Sequence, residues 1–218
     1  MSQPTNRRTL SKQKIVETAL KLADEVGIEG LSMRKLASEL GTTAMAIYNH
    51  VSNKDALIDL LLAKVVSEFE QPKIGAPWQD AMRQRAHSMR NIILRHKWAA
   101  VLLISKISLS DEILRDVNAT VGCLVEAGFS YAQADWARNT IDSHIYGYTL
   151  QEINIPVTPA KYREAASQYL PMVNKEKYPF MYQSAVEIID GTYDGVTDFS
   201  FGLELILSGL KNWLHSDR

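Results

Sequence analysis

Cysteine occurs once in this chain, at Cys123, so no intramolecular disulfide is available and the usage fits a reducing compartment. Its neighbours Val121, Leu124 and Val125 mark the thiol as a small buried apolar group rather than a redox sensor. No apolar run approaches the ~20 residues that a membrane-spanning helix needs. The polar opening MSQPTNRRTLSK lacks the apolar segment of a secretory signal, so the expectation is a cytoplasmic protein with no membrane partner. An excess of either charge is missing too: 24 Lys and Arg stand against 25 Asp and Glu. Such a balance excludes a protein that coats nucleic acid indiscriminately, and any DNA contact must be local. The basic residues Arg7, Arg8, Lys12 and Lys14 precede the first acid, Glu17, and are either phosphate-facing or a plain basic tail.

The motifs of catalysis are absent as well. There is no HExxH, no GxSxG, no phosphate-cradling glycine loop and no CxxC. The histidines His50, His87, His96, His144 and His215 are dispersed, and His87 and His96 fall on opposite faces of a helix at about 100° per residue. Neither a metal site nor a cofactor is expected, and the chain does not read as an enzyme. Strand alternation and hairpin signals are lacking, which makes the expected fold all-α.

What is present is organised around Ser32 to Lys54, SMRKLASELGTTAMAIYNHVSNK. Met33, Leu36 and Leu40 fall at helical spacing, Gly41 follows, and Ile47 and Val51 continue the pattern on a second short helix. Ala37 lets two crossing helices approach, and Gly41 supplies the left-handed conformation that ends the first of them. Thr42 or Thr43 then caps the second. This is a helix-turn-helix, whose second helix fits a major groove of DNA; a purely structural helix pair is the alternative. Ser32, Arg34, Thr42, Thr43, Ala44, Met45, Tyr48, Asn49, His50 and Lys54 are the candidate DNA-binding residues. Tyr48, His50 and Lys54 suit phosphates, which set position. Arg34, Thr43, Ala44, Met45 and Asn49 suit base edges: Arg34 a guanine, the methyl groups of Thr43, Ala44 and Met45 a thymine.

Leu31-Ser32-Met33-Arg34-Lys35-Leu36-Ala37, then Gly41, then Ile47-Tyr48-Asn49-His50-Val51-Ser52-Asn53-Lys54, resembles the DNA-binding domain of the tetracycline-repressor (TetR) family of bacterial regulators. The resemblance implies the same division of contacts at these positions. The tetracycline-responsive members carry a long amide where this chain has Ala44, followed here by Met45, so a different operator is expected. Arg95-His96-Lys97-Trp98, Gly128-Phe129-Ser130 and Tyr146-Gly147-Tyr148 resemble the C-terminal domain of the tetracycline-repressor subgroup. At the positions matching that subgroup's metal-bound histidine and carboxylate stand Ile104 and Gln151, so a magnesium–drug chelate would lose both protein ligands.

The remaining pattern is helical. Ile15, Ala19, Leu22, Ala23 and Val26 form a stripe from Ser11 to Gly27, and Leu57 to Val66 a connecting helix that ends by Phe69. Trp78 to Ile93 is a third stripe, and Trp98 to Ile107 a dense run expected to be a short buried helix. Ile113 to Val125, Tyr131 to Ile153 and Val196 to His215 complete the set. Between Glu152 and Phe180 the prolines at 156, 159, 171 and 179 predict loops around a helix near Tyr162 to Tyr169. Tyr162, Tyr169, Tyr178 and Tyr182 either close over a ligand site or cover a core edge.

Residues 1–54 are thus expected to form a three-helix DNA-binding domain, joined through a helix at about 55–70 to a larger helical domain, 71–218, for ligand binding and dimerisation. Met82, Met89, Asn91, Trp98, Trp136, Asn139, His144 and Tyr148 are the candidate ligand residues, apolar walls with a few polar handles; a plain core is the other reading of the same stripe. Trp136, Thr140, Gly147, Phe199, Gly202, Leu203, Ile206, Gly209, Leu210 and Trp213 are the candidate dimer interface, because glycines seven apart suggest close approach by another helix. The expected protein is a homodimeric repressor released from a palindromic operator by a small, mostly apolar effector. A regulator without an effector, or a helical enzyme keeping a vestigial motif, are the alternatives.

Overall fold

The computed structural model describes residues 10–106, 108–155, 158–196 and 198–216, and every regular element among them is a helix. Arg7, Arg8, Ile107 and Pro156 lie outside the described residues.

Three helices open the chain: α1 (Lys12–Gly30), α2 (Met33–Glu39) and α3 (Ala44–Tyr48). Ser11 caps α1 by accepting a hydrogen bond from the Lys14 N–H, one of the donors that a helix start leaves unpaired. Gly27, at φ 74°, interrupts the helical geometry before Ile28, Glu29 and Gly30 resume it. The stripe of α1 buries Ile15, Ala19, Leu22 and Ala23 against Leu31, Leu36, Ala37, Ile47 and Val51.

The next helix, α4 (Lys54–Val66), starts at an Asn53 cap and serves two cores at once. Leu57 and Leu61 close the first core, whereas Ile58, Leu62, Val65 and Val66 belong to the second. A helix apolar on both sides has little amphipathic asymmetry, which is what a shared element requires. The second core is completed by α5 (Trp78–Arg95), α6 (Ala99–Ser105), α7 (Asp111–Glu126), α8 (Tyr131–Asn154) and α11 (Phe199–Ser216). At 24 residues, α8 is about 36 Å long and packs against α5, α6, α7 and α11. A reciprocal capping box, Ser130 with Gln133, fixes its start just after Gly128 (φ 108°) has ended the preceding turn.

Three expectations need correcting. The run after Trp98 is not a buried helix: Ala99 and Ala100 are buried, but Val101 and Ile104 are 59% and 54% exposed. A helix of seven residues can turn only one side inward. The proline-rich interval holds the expected helix, as α9 (Pro159–Tyr169), but less loop than expected, since a 3-10 turn (Leu170–Met172) and α10 (Pro179–Asp190) follow it; proline in a first helical turn removes no needed donor. Tyr162 there packs over Gly195, while Tyr178 and Tyr182 lie under Lys177 and Lys175.

The third correction concerns the face assigned to dimerisation. Phe199, Leu203 and Leu210 are buried in the core of their own chain, as are Leu207 and Leu214. Gly202 does allow a close approach, but by the His144 ring of the same chain: a Cβ there would lie 2.5 Å from His144 Cε1. The outward side of α11 instead carries Phe201 and Leu205, 66% and 60% exposed, in line with Gly209. Beside it α8 turns out Trp136, Thr140 and Gly147, and among the described residues no other part of the chain than the helix's own backbone comes within 4 Å of a Cβ built at Gly147 or Gly209. Trp213 is partly buried, stacked on Trp136 at 6.1 Å, and Ile206 is half-buried.

Candidate nucleic-acid interface and effector cavity

The helix-turn-helix is assembled from short-range forces. Ser32 caps α2 by accepting from Lys35 N–H at 3.2 Å, and Thr43 caps α3 by accepting from Ala46 N–H at 3.3 Å. Gly41, at φ 62°, turns the chain between them, and the Thr42 N–H donates to the Ala37 carbonyl at 2.9 Å. Ile47, fully buried, and Val51 pin α3 to the core.

With that side fixed, the other side of α3 must point outward. Met45 is 71% exposed and Tyr48 44%, and Asn49 and His50 are exposed beside them. Arg34 and Ser32 are exposed on α2 and its cap, while Thr42 and Ala44 are half-buried. Lys54, half-buried, donates one of its three ammonium N–H groups to the Ile28 carbonyl at 3.0 Å and ties the start of α4 to the end of α1. The motif therefore offers a compact outward surface of a cationic fork, hydroxyls, an amide and a thioether.

The eight residues expected around a ligand are not brought together. Met82 and Met89 are core, and each full burial contributes about 1.5–3 kcal/mol of transfer free energy. Asn91 is exposed, Trp98 hydrogen-bonds to Asp24, Trp136 stacks on Trp213, and His144 and Tyr148 pack on Phe199. Asn91 lines an open groove with Arg83, His87 and Arg95, and only Asn139 of the eight lines the more enclosed cavity beside α8.

That cavity is half-enclosed, about 320 Å³, and lies between α4, α6, α7 and α8 over the side of α5. Its apolar wall is Val66, Phe69, Leu103, Ile104, Ile113 and Val117. Its polar wall is an ion network. Arg85, 2% exposed, donates to Asp116 at 2.8 Å and Asp142 at 2.6 Å; Arg138 meets Asp142 at 3.4 Å and Asp135 at 2.9 Å. Burial opposes the Arg85 charge, but Asp142 and Asp116 outweigh it and raise its affinity for the proton above the ordinary guanidinium range. Burial, with Asp142 adding to it, likewise pushes the Tyr146 phenol above its ordinary value and keeps it neutral.

The sequence carried a signal for this network that composition alone hides. Arg85 interrupts an otherwise apolar stripe between Met82 and Met89, and Arg138, Asp142 and Tyr146 recur at four-residue spacing on α8. Charged residues inside an apolar face are buried only when paired, so their coincidence on neighbouring helices marks one site.

Two elements run from the cavity to the outward motif. Leu103 and Ile104 of α6 line it, and α6 begins at Trp98, which packs against both cores and donates to Asp24 on α1. At its other end Lys106 binds Asp59 on α4, and α4 itself lends Val66.

Comparison with known proteins gives the arrangement its relatives. Residues 71–214 match the tetracyclin repressor-like C-terminal domain, and residues 15–61 match the bacterial regulatory proteins of the tetR family. The chain is 30% identical over 206 residues to the class D tetracycline repressor protein of Escherichia coli, covering 93% of this chain and 89% of that protein. Among solved structures, apo ActR of Streptomyces coelicolor superimposes with a TM-score of 0.81 at 26% identity, covering 96% of this chain and 98% of that one. The same protein in complex with actinorhodin gives 0.79 at 27% identity over 94% and 99%.

Proposed function

Because the chain belongs to the tetR family of bacterial regulatory proteins, we propose that it is a homodimeric, DNA-binding transcriptional repressor, released from a palindromic operator when a small, mostly apolar molecule enters the cavity. The family consists of regulators, and we read this chain as a regulator rather than a catalyst, acting in the cytoplasm; no described helix is long and apolar enough to cross a membrane. Residues 1–54 are read as the DNA-binding unit, the following helix as the connector, and 71–218 as the effector and dimer unit.

The observation that carries the reading is the outward face of α3. Met45, Tyr48, Asn49 and His50 are exposed together while Ile47 anchors the helix from behind. A helix held this way can lie in a major groove, with Arg34 and Met45 toward base edges and Tyr48 and His50 toward phosphates. One such helix reads only a few base pairs, so two-fold pairing through the outward sides of α8 and α11 supplies the second half-site. Lys54 is read as both a structural tie and a phosphate contact, because the bond to Ile28 uses one of its three ammonium donors.

Release follows from the route between cavity and motif. An occupant pressing on Leu103 and Ile104 shifts α6, which is tied to α1 through Trp98 and to α4 through Lys106. The two motifs then leave their half-site spacing, to the extent that the occupant binds the released state more tightly. ActR's complex with actinorhodin supports a small-molecule effector of this kind. A magnesium chelate does not fit, since Ile104 offers no ligating atom to the cavity.

Gel-shift titration with the DNA upstream of its own coding region tests the proposal. Retardation at low salt is expected, and none would contradict it.

A further inference from the structure

Every charge that lines the cavity is already spent on another. The two cations, Arg85 and Arg138, face the two carboxylates, Asp116 and Asp142, and Asp135 at the rim holds the remaining end of Arg138. A ligand carboxylate or phosphate would find one unpartnered guanidinium N–H, Arg138 Nε, which is itself closed off from the space, and would sit close to Asp142. A ligand ammonium would find both carboxylates occupied. Either ion would lose its hydration without gaining a counter-ion that is not already paired.

Two hydroxyls line the cavity, that of Ser143 at the exposed face of α8 and that of Tyr146 beside the ion network. The Tyr146 hydroxyl hydrogen-bonds to no described residue, although its ring stands among the ion network and it lines the space. A neutral phenol there is a donor looking for an acceptor. The rest of the lining away from α8 and the ion network is hydrocarbon: Val66, Phe69, Leu103, Ile104, Ile113 and Val117. The space is at the lower end of the roughly 300–1,000 Å³ range of small-molecule sites, enough for about two or three fused rings.

We infer that the cavity selects uncharged ring compounds that present a carbonyl-type acceptor oxygen to the Tyr146 hydroxyl, and rejects those of the same shape that carry a net charge. The inference rests on the cavity being the effector site and adds the chemical class. Selection against charge comes from a wall whose ions are paired with one another, and selection for the acceptor comes from the Tyr146 donor.

A series with one ring system tests it: 2-acetonaphthone, 2-ethylnaphthalene, 2-naphthoate and 2-naphthylmethylammonium, titrated calorimetrically into the DNA-free full-length protein at pH 7. The ketone is expected to bind about tenfold more tightly than the ethyl compound, the value of one hydrogen bond. The two ions are expected to bind at least about thirtyfold more weakly than the ketone. Tyr146→Phe should remove the ketone's advantage and leave the ethyl compound unchanged, so a folding defect, which would weaken both, is told apart. Equal or tighter binding of either ion, an unaltered ketone affinity in Tyr146→Phe, or no binding of the ketone overturns the inference.

A parallel gel shift with the upstream DNA separates the two readings. If the ketone binds as expected but does not release DNA, the ligand class stands and the effector role falls. If DNA is bound and the ketone series fails, the ligand class falls and the repressor reading stands.

Discussion

The indole N–H of Trp98 donates to the Asp24 carboxylate across 2.8 Å and so joins the start of α6 to α1. The same oxygen lies 2.8 Å from Nδ1 of His96, a buried ring whose other nitrogen is 3.7 Å from Glu68 at the end of α4. One carboxylate thereby pins the contact between the two cores. Asp24→Ala should lower stability by about 1–3 kcal/mol, the cost of stranding the donors it satisfies. Urea denaturation reads that loss. The same variant should bind an effector normally yet release operator less completely, because α6 no longer pulls on α1; calorimetry and gel shift together check this.

Arg85 should be the most sensitive single position in the cavity. Arg85→Met leaves Asp116 and Asp142 facing each other in a buried site, and breaking a buried pair from one side costs about 3–5 kcal/mol. Chemical denaturation at pH 7 is the measurement. The loss should exceed that of Arg115→Met, whose contacts to Asp111 and Glu112 are on the surface.

Tyr146 should be visible by its absence from an alkaline titration. Its proton is held above the ordinary tyrosine value of about 10 by burial and by Asp142, so the folded state binds that proton more tightly than the unfolded chain. The stabilisation is complete below about pH 10 and is lost as pH rises beyond it. Phenolate absorbance should show one of the nine tyrosines lagging behind the rest, and Tyr146→Phe should abolish the lag.

The two glycines of α11 should behave in opposite ways. A methyl group at Gly202 meets the His144 ring, which is stacked on Phe199 at 5.0 Å and hydrogen-bonded to its carbonyl, so it has nowhere to move. Gly202→Ala should cost about 1–3 kcal/mol of folding stability. At Gly209 the space is open within the chain, and alanine should gain up to about 1 kcal/mol of helix propensity while weakening the dimer, if that face meets a partner. Denaturation and sedimentation equilibrium separate the two effects.

The motif was legible from sequence because its determinants are local. Gly41, the Thr43 cap and the anchors Ile47 and Val51 lie within eleven residues of chain, and the exposed side follows from the buried one. The cavity was not legible, since it depends on which side of α8 faces α7. His144 and Tyr148 carry binding chemistry in the sequence, but the side about 200° round the helix, with Asp142 and Tyr146, is the one that lines the cavity. The dimer face was obscured for another reason. On α11 apolar residues occur all round, so Phe199 and Leu203 could not be told from Phe201 and Leu205 until α5 and α8 showed which side they cover.

The most direct measurement of the whole account is a hydroxyl-radical footprint of the protein on the duplex upstream of its coding region, with and without an effector. A symmetric dimer presenting α3 twice predicts two protected patches related by a two-fold axis, about one helical turn or a multiple of it apart, both lost together when effector is added. A single patch, or protection that persists in Met45→Ala/Tyr48→Ala, would contradict it.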